Sequence, residues 1–208
     1  RDSVGFDMIR VQPWLDRVTA AQTDVDYLEI CSEYVTSLKD GHVFFRLPTN
    51  FQARIGLSAD LYDGKVLIET VNTSQLPAAQ FPVRAGDEVV SIDGKPVDEI
   101  VRDFSKVTGF GSNPRGERRY AAQFLFLRPQ TILPRAADVG ENAVVVVRHA
   151  DGGEDTLTIP WIKTGEPLRT LGTFSPLLQR NPATAALAGE FSIPLPDGIE
   201  PWEKPLLE

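Results

Sequence analysis

A series of short, β-branched segments from residue 43 onward places the strongest limit on what this chain can fold into. Val, Ile, Thr and Phe recur in six such segments, and turn residues such as Asp93-Gly94 separate most of them. The segments are VFFRL, ARIGL, KVLIETV, DEVVSI, AVVVVRH and DTLTIPW. Helical patterns over residues 97–107 and 116–128 interrupt the series. The spacing predicts an α+β fold whose middle is a small mixed domain of about six strands and one or two helices.

The first 42 residues have a different pattern, which is typical of helices. Residues 6–18 and 24–39 are predicted to be helical, and in the second stretch apolar residues recur at three- and four-residue steps. These apolar residues are Val25, Leu28, Cys31, Val35 and Leu38. We therefore expect a short N-terminal helical hairpin over residues 1–42.

The last quarter of the chain is rich in proline. Eight of the 16 prolines lie in residues 160–208, and each proline removes a backbone donor and fixes φ. A long helix is therefore excluded there. We interpret residues 164–208 as an extended tail that leads toward a further domain.

Composition excludes several classes of function. The net charge of -8 and the pI near 4.9 argue against a general nucleic-acid or anionic-membrane binder. A local excess of five positive charges over residues 101–135, densest at Arg115, Arg118 and Arg119, is interpreted as a solvated helix face, with an anionic partner as the alternative. No apolar run approaches the ~20 residues of a membrane-spanning helix. One cysteine and two histidines leave few metal ligands, so we expect no metal site and no cofactor.

A fifteen-residue segment in the middle of the chain resembles the PDZ-domain signature. Residues 83–97, VRAGDEVVSIDGKPV, place a Gly-Asp pair before a strand, an Asp-Gly turn and a helix. Arg54-Ile55-Gly56-Leu57 looks like the carboxylate-binding loop of such domains, and AVVVVRHADGGEDTLTIP looks like the closing hairpin. The resemblance implies a PDZ-like small β-barrel or sandwich over residues 43–163. The stretch at about 108–138 is longer than the family needs and is interpreted as a helical insertion.

The PDZ resemblance also implies a peptide-binding site. Backbone amides of the loop and of the strand after it would hold a C-terminal carboxylate while the peptide adds a strand to the sheet. The residues concerned are Arg54, Ile55, Gly56, Leu57 and Ser58, with Arg54 adding a charge-assisted contact, and Ile100, Val101 and Phe104 lining the side-chain pocket. The alternative is that the loop is a buried strand start and that the three later residues belong to an ordinary core helix.

A second motif precedes the predicted domain. Residues 38–45 read Leu-x-Asp-x-His-x-x-Phe, which resembles the tail-specific, or C-terminal-processing, serine peptidases and their tricorn-core relatives. The resemblance implies that His42 is the general base for a serine supplied by a catalytic core beyond this chain. The alternative is that His42 caps the carbonyls of the preceding helix. Ser112 is not expected to be the nucleophile, because no strand precedes it to form a strained elbow.

These resemblances combine into one functional hypothesis. The chain is predicted to be the non-catalytic N-terminal and substrate-recognition portion of a serine peptidase, inactive alone. Its partners would be a polypeptide or peptide C-terminus and the catalytic core of the same protein, in the cell envelope, the periplasm or a secreted setting. Because the chain begins at Arg1 without a signal segment, we expect it to be a processed or excised piece. The alternatives are a stand-alone PDZ-type adaptor and a surface that assembles oligomers through the tail.

Overall fold

The computed structural model of the chain describes residues 11–109 and 113–171. The described residues up to Thr170 belong to one compact unit. Ser112 and most of the predicted tail, from residue 172 on, lie outside the described residues.

The N-terminal segment forms two packed helices, as predicted. Helix α1 spans Gln12–Ala20 and α2 spans Asp24–Ser37. Helix α2 begins with a capping box, in which the Asp26 amide donates to the Thr23 hydroxyl and the Thr23 amide donates to the Asp26 carboxylate. The ring of Trp14 in α1 packs edge-on against that of Tyr34 in α2, with centroids 5.5 Å apart.

The larger of two sheets holds six antiparallel strands. Its order is β2-β3-β4-β7-β8, with β5 paired to β4. The strands are β2 (Leu57–Tyr62), β3 (Lys65–Val71), β4 (Glu88–Ile92), β5 (Lys95–Pro96), β7 (Asn142–Arg148) and β8 (Glu154–Pro160). Strand β2 is therefore at one edge of this sheet.

The smaller sheet has the order β6-β1-β9. Its strands are β1 (Gln52–Arg54), β6 (Leu127–Pro129) and β9 (Ile162–Thr164). The strands thus form two sheets that do not close into a barrel over the described residues, which confirms the α+β class in its two-sheet form. Strand β9 was not predicted, because its three residues are all exposed and show no apolar alternation.

Two helices and a short turn of 3-10 helix complete the fold. Helix α3 spans Val97–Thr108, α4 spans Pro114–Ala122, and the 3-10 turn spans Ala136–Asp138. Helix α3 packs against α2 and α4, and α4 also packs against β2. The core between sheets and helices is apolar and includes Ile55, Ile68, Val101, Leu125 and Phe126.

Three predicted elements differ from the structure. Residues 43–47 do not form a strand. The Leu47 amide bonds to the Thr131 carbonyl without continuing into a ladder, and Phe44 is exposed instead of packing on the core. The segment ARIGL is divided, since β1 ends at Arg54 and β2 begins at Leu57. The helix predicted over 116–128 ends at Ala122, and its last residues belong instead to β6.

Candidate functional site

The loop between β1 and β2 makes a tight turn at Gly56. Gly56 has φ of +74°, and a Cβ placed there would lie 2.6 Å from Oε1 of Gln75. On one side of the loop the Ile55 amide donates to the Phe126 carbonyl at 3.1 Å. On the other side the Gly56 carbonyl accepts from the Asn72 amide at 2.8 Å. Glycine is favoured here because a positive φ is strained for any residue that carries a Cβ.

The turn directs backbone groups of β2 toward the open edge of the sheet. The bond between Gly56 and Asn72 makes Leu57 and Val71, its partner in register, a non-hydrogen-bonded pair. The N–H and C=O of Leu57 therefore point away from β3. Ala59 has the same orientation, because its partner Ile68 uses its own backbone groups to bond with residues 86 and 87. An edge of this kind is a template for an added strand.

At the far end of the β2 edge, the Leu61 amide and the Asp60 carboxylate already have hydrogen-bond partners. Oδ1 of Asp60 accepts a hydrogen bond from the Leu61 amide at 2.7 Å. Oδ2 of the same carboxylate binds Arg119 of α4, at 2.7 Å from Nη2 and 2.8 Å from Nε. The stretch of β2 that remains for pairing is therefore Leu57 to Ala59, and both of these residues are buried.

The other loop residues have distinct surroundings. Arg54 is exposed in β1, where it lies opposite Leu127 and Ile162. The Ser58 hydroxyl bonds with that of Thr70 across the β2–β3 ladder, with 2.6 Å between the oxygens. Arg54 is thus free to meet a ligand, whereas Ser58 already has a partner.

The predicted pocket residues of α3 lie mainly in the core. Val101 has no exposed surface and Ile100 is buried. Phe104 is half-buried and faces Arg128, whose Cζ lies 5.3 Å from its ring centroid. Helix α4 packs against β2, and Val101 has no exposed surface through which a peptide could contact it in this structure. The peptide-pocket role of these residues stays a prediction.

The Gly-Asp turn is tied to the closing hairpin by a histidine. Oδ2 of the buried Asp87 accepts from the Arg84 amide, and Oδ1 lies 3.0 Å from Nδ1 of His149. The other ring nitrogen of His149 lies 3.0 Å from Oδ2 of Asp155. The bonds to Asp155 and Asp87 raise the pKa of His149 above its ordinary value of 6.5. His149 therefore links the Gly-Asp turn to the closing hairpin through these two carboxylates.

The His42 side chain projects from the segment after α2. Nδ1 lies 3.1 Å from Oδ1 of Asp40, which also accepts the His42 amide, and these contacts lower the pKa of Asp40. The imidazole is otherwise open, since the side chain is 96% exposed. Helix α2 ends at Ser37, and the imidazole of His42 bonds with the Asp40 carboxylate. Over the described residues, no hydrogen bond joins the ring to a carbonyl of α2, as the helix-capping alternative would require. A carboxylate on one ring nitrogen is the arrangement that orients a general base.

A family model for the PDZ domain matches residues 52–169, more than half of the chain. The chain belongs to the PDZ domain family. The match includes the loop at Gly56, the Gly-Asp turn, both sheets and helix α4. A search of curated proteins finds no match.

The fold is also similar to crystal structures of mature CPAF. One, a complex with lactacystin, has a TM-score of 0.66 at 15% sequence identity over 96% of this chain. Another has a TM-score of 0.67 at 15% identity over 93% of this chain. The chain spans about a third of the length of these proteins, 35% and 33% respectively.

The described residues include neither a candidate metal cluster nor a helix suited to crossing a membrane. Among the described residues, no group of three or more His, Cys, Asp or Glu side chains could hold a metal ion. No helix in the same part of the chain is long and apolar enough to cross a membrane.

The side-chain contacts of Asp60 and Arg128 were not predicted from the sequence. Asp60 binds Arg119, which is 59 residues later, and Arg128 contacts rings that are 24 and 33 residues away. The available signal was weak: an acid inside an apolar strand pattern, and an arginine after the apolar run FLFL.

Proposed function

We propose that this chain is the N-terminal and PDZ substrate-recognition portion of a serine peptidase, and that it binds peptide C-termini by strand addition. The observation that carries the binding role is the edge of β2, where the backbone groups of Leu57 and Ala59 point away from β3 directly after the Gly56 loop. Both residues are buried, so strand addition requires the groups that cover this edge to move aside. An incoming peptide would pair with these two residues, and its terminal carboxylate would meet the loop residues Arg54 to Leu57. Arg54 is exposed and can approach that carboxylate.

The peptidase assignment is supported by two further observations. CPAF is a serine protease of the tail-specific-protease-like kind, and this chain is similar in fold to about a third of it. His42 is oriented by Asp40 and exposed, as a general base must be if another part of the protein supplies the serine. We therefore assign the whole protein to the tail-specific or tricorn-like peptidases, and its proposed location is the cell envelope or a secreted compartment.

The binding role is tested with matched peptides. Two peptides of the same apolar sequence, one with a free C-terminus and one C-terminally amidated, are titrated into the chain by calorimetry. The free form should bind about tenfold or more tightly, because a hydrogen bond to a charged group contributes about 1.5–3 kcal/mol. Equal affinity of the two peptides would overturn carboxylate recognition.

A further inference from the structure

A cavity of about 520 Å³ lies between α3, the segment after β6 and the middle of α2, at Glu29 and Glu33. Its wall includes Phe104 and Val107 of α3, Arg128 of β6, and Leu133 and Val139. Because β6 pairs with β1, Arg128 lies opposite Ala53, just before the Gly56 loop. The cavity is large enough for one or two residues of a peptide.

Arg128 is held in place at this cavity. Its Cζ lies 4.8 Å from the ring centroid of Trp161 and 5.3 Å from that of Phe104. Its Nε donates to the Leu125 carbonyl at 3.1 Å. Two aromatic contacts and one hydrogen bond fix the guanidinium plane, and Nη1 and Nη2 remain as donors.

The charged side chains around Arg128 already have partners other than Arg128. Asp103 binds Lys95 and Lys106, and Arg135 binds Glu29. The remaining carboxylates of the wall have partners too: Glu33 with Arg17, Asp93 with the Val144 amide, and Asp138 with Arg169.

Arg128 itself has no ion pair with any residue in the described ranges 11–109 and 113–171. Burial lowers its pKa to about 10, and the more distant Asp93 only partly opposes this effect. Arg128 is half-buried, and a partly desolvated cation without an ion pair contributes little to the stability of the fold. A charge kept at such a position is typical of a binding site.

We propose that this cavity binds a carboxylate through the Nη1 and Nη2 atoms of Arg128. A planar guanidinium with two free donors matches a carboxylate in a two-pronged geometry. The carboxylate can come from the C-terminus of a peptide or from an Asp or Glu side chain within it. The proposal depends on the surroundings of Arg128 and does not require strand addition at β2.

The test uses peptides that separate the two sources. Three peptides share one apolar sequence: one has a free C-terminus, one is amidated with an internal Glu, and one is amidated with Gln in place of Glu. Binding to the native chain, to Arg128→Gln and to Arg128→Lys is measured by calorimetry. Arg102→Gln, which removes the same charge from the exposed face of α3, is the matched control.

The expected result is that the free-terminus peptide, the Glu peptide or both bind more tightly than the Gln peptide. Arg128→Gln should weaken that preferred binding by about tenfold to a hundredfold, with a smaller loss in Arg128→Lys and no change in Arg102→Gln. Unchanged carboxylate binding in Arg128→Gln, or equal affinity for all three peptides, overturns the proposal.

A stability measurement separates binding from structure. If Arg128 serves a ligand, Arg128→Gln should lower the melting temperature only slightly, because the loss of two cation–π contacts and one hydrogen bond is offset by removal of a partly buried charge that has no ion pair. A markedly lower melting temperature together with unchanged peptide binding would make Arg128 a structural residue and overturn the proposal. Hydrogen exchange of the Leu57 and Ala59 amides measures strand addition at β2 separately. A peptide that does not add a strand at β2 can therefore be distinguished from one that does not bind at Arg128.

Discussion

Arg119 of helix α4 binds the buried carboxylate of Asp60 in strand β2, with 2.7 Å between Nη2 and Oδ2. The Asp60 side chain is 3% exposed, and its other oxygen accepts the Leu61 amide. This pair joins helix α4 to the strand whose edge carries the proposed peptide site. Helix α4 is therefore part of the domain's packing, and the contacts of Asp60 limit the remaining edge of β2 to Leu57–Ala59.

Replacing Arg119 with Ala should destabilise the fold, because the buried Asp60 carboxylate would lose its cation. The matched control is Arg118→Ala, since Arg118 pairs with Asp98 and both side chains are largely exposed. We expect Arg119→Ala to lower the melting temperature by several degrees and Arg118→Ala to change it little. Equal effects of the two variants in thermal denaturation would contradict this account of how α4 packs on β2.

Stability should depend on pH through His149. The pKa of His149 is raised by hydrogen bonds to Asp155 and Asp87, so its stabilising contribution is fully present below the unfolded-state value of 6.5. That contribution is lost as pH rises through the pKa of the folded state. The melting temperature of the native chain relative to His149→Gln should therefore be highest near pH ~5.5 and decline toward pH ~8.5.

The pKa of His149 itself can be read by NMR titration of its ring protons. Asp155→Asn should lower that pKa, because it removes the largest of the raising contacts. A ring pKa at or below 6.5 in the native chain would show that the two carboxylates do not stabilise the charged imidazole.

Gly56→Ala should cost about as much stability as Gly64→Ala. Both glycines have positive φ, which is strained for a residue with a Cβ and costs about 1–2 kcal/mol. A Cβ at Gly64 meets open space, and the one contact below 3.0 Å at Gly56 is with Oε1 of Gln75, the far end of a flexible side chain that can turn away. Chemical denaturation of the two variants checks this, and a clearly larger loss at Gly56 would show that the Gln75 side chain is held in place.

The sequence predicted those elements whose pattern is local. Strand β3 has the predicted bounds, residues 65–71, because apolar alternation and flanking turns define it completely. The division of ARIGL at Gly56 was not predicted, since the segment is apolar throughout and the positive φ depends on packing against Asn72 and Gln75.

The candidate site was predicted only in part. The Gly56 loop and the pairing of His42 with Asp40 lie within short segments, so motif spacing could indicate them. The contact of Arg119 with Asp60 and the stack around Arg128 join distant parts of the chain, and no local pattern encodes them.

His42→Ala tests the peptidase assignment in the full-length protein. Turnover should fall by about two to four orders of magnitude, because general-base catalysis contributes about 10²–10⁴-fold. Stability should not change, since the side chain is almost wholly exposed. Asp40→Asn should give a smaller loss by releasing the orientation of the ring. Unaltered turnover in His42→Ala would exclude His42 as the base.

Hydrogen exchange at the β2 edge tests the central claim most directly. Exchange of the Leu57 and Ala59 amides is followed by NMR with and without a saturating peptide that has a free apolar C-terminus. Strand addition predicts that both amides become protected by about tenfold or more, while exposed amides of α1 keep their rates. A peptide that binds without slowing exchange at Leu57 and Ala59 would contradict recognition at this edge.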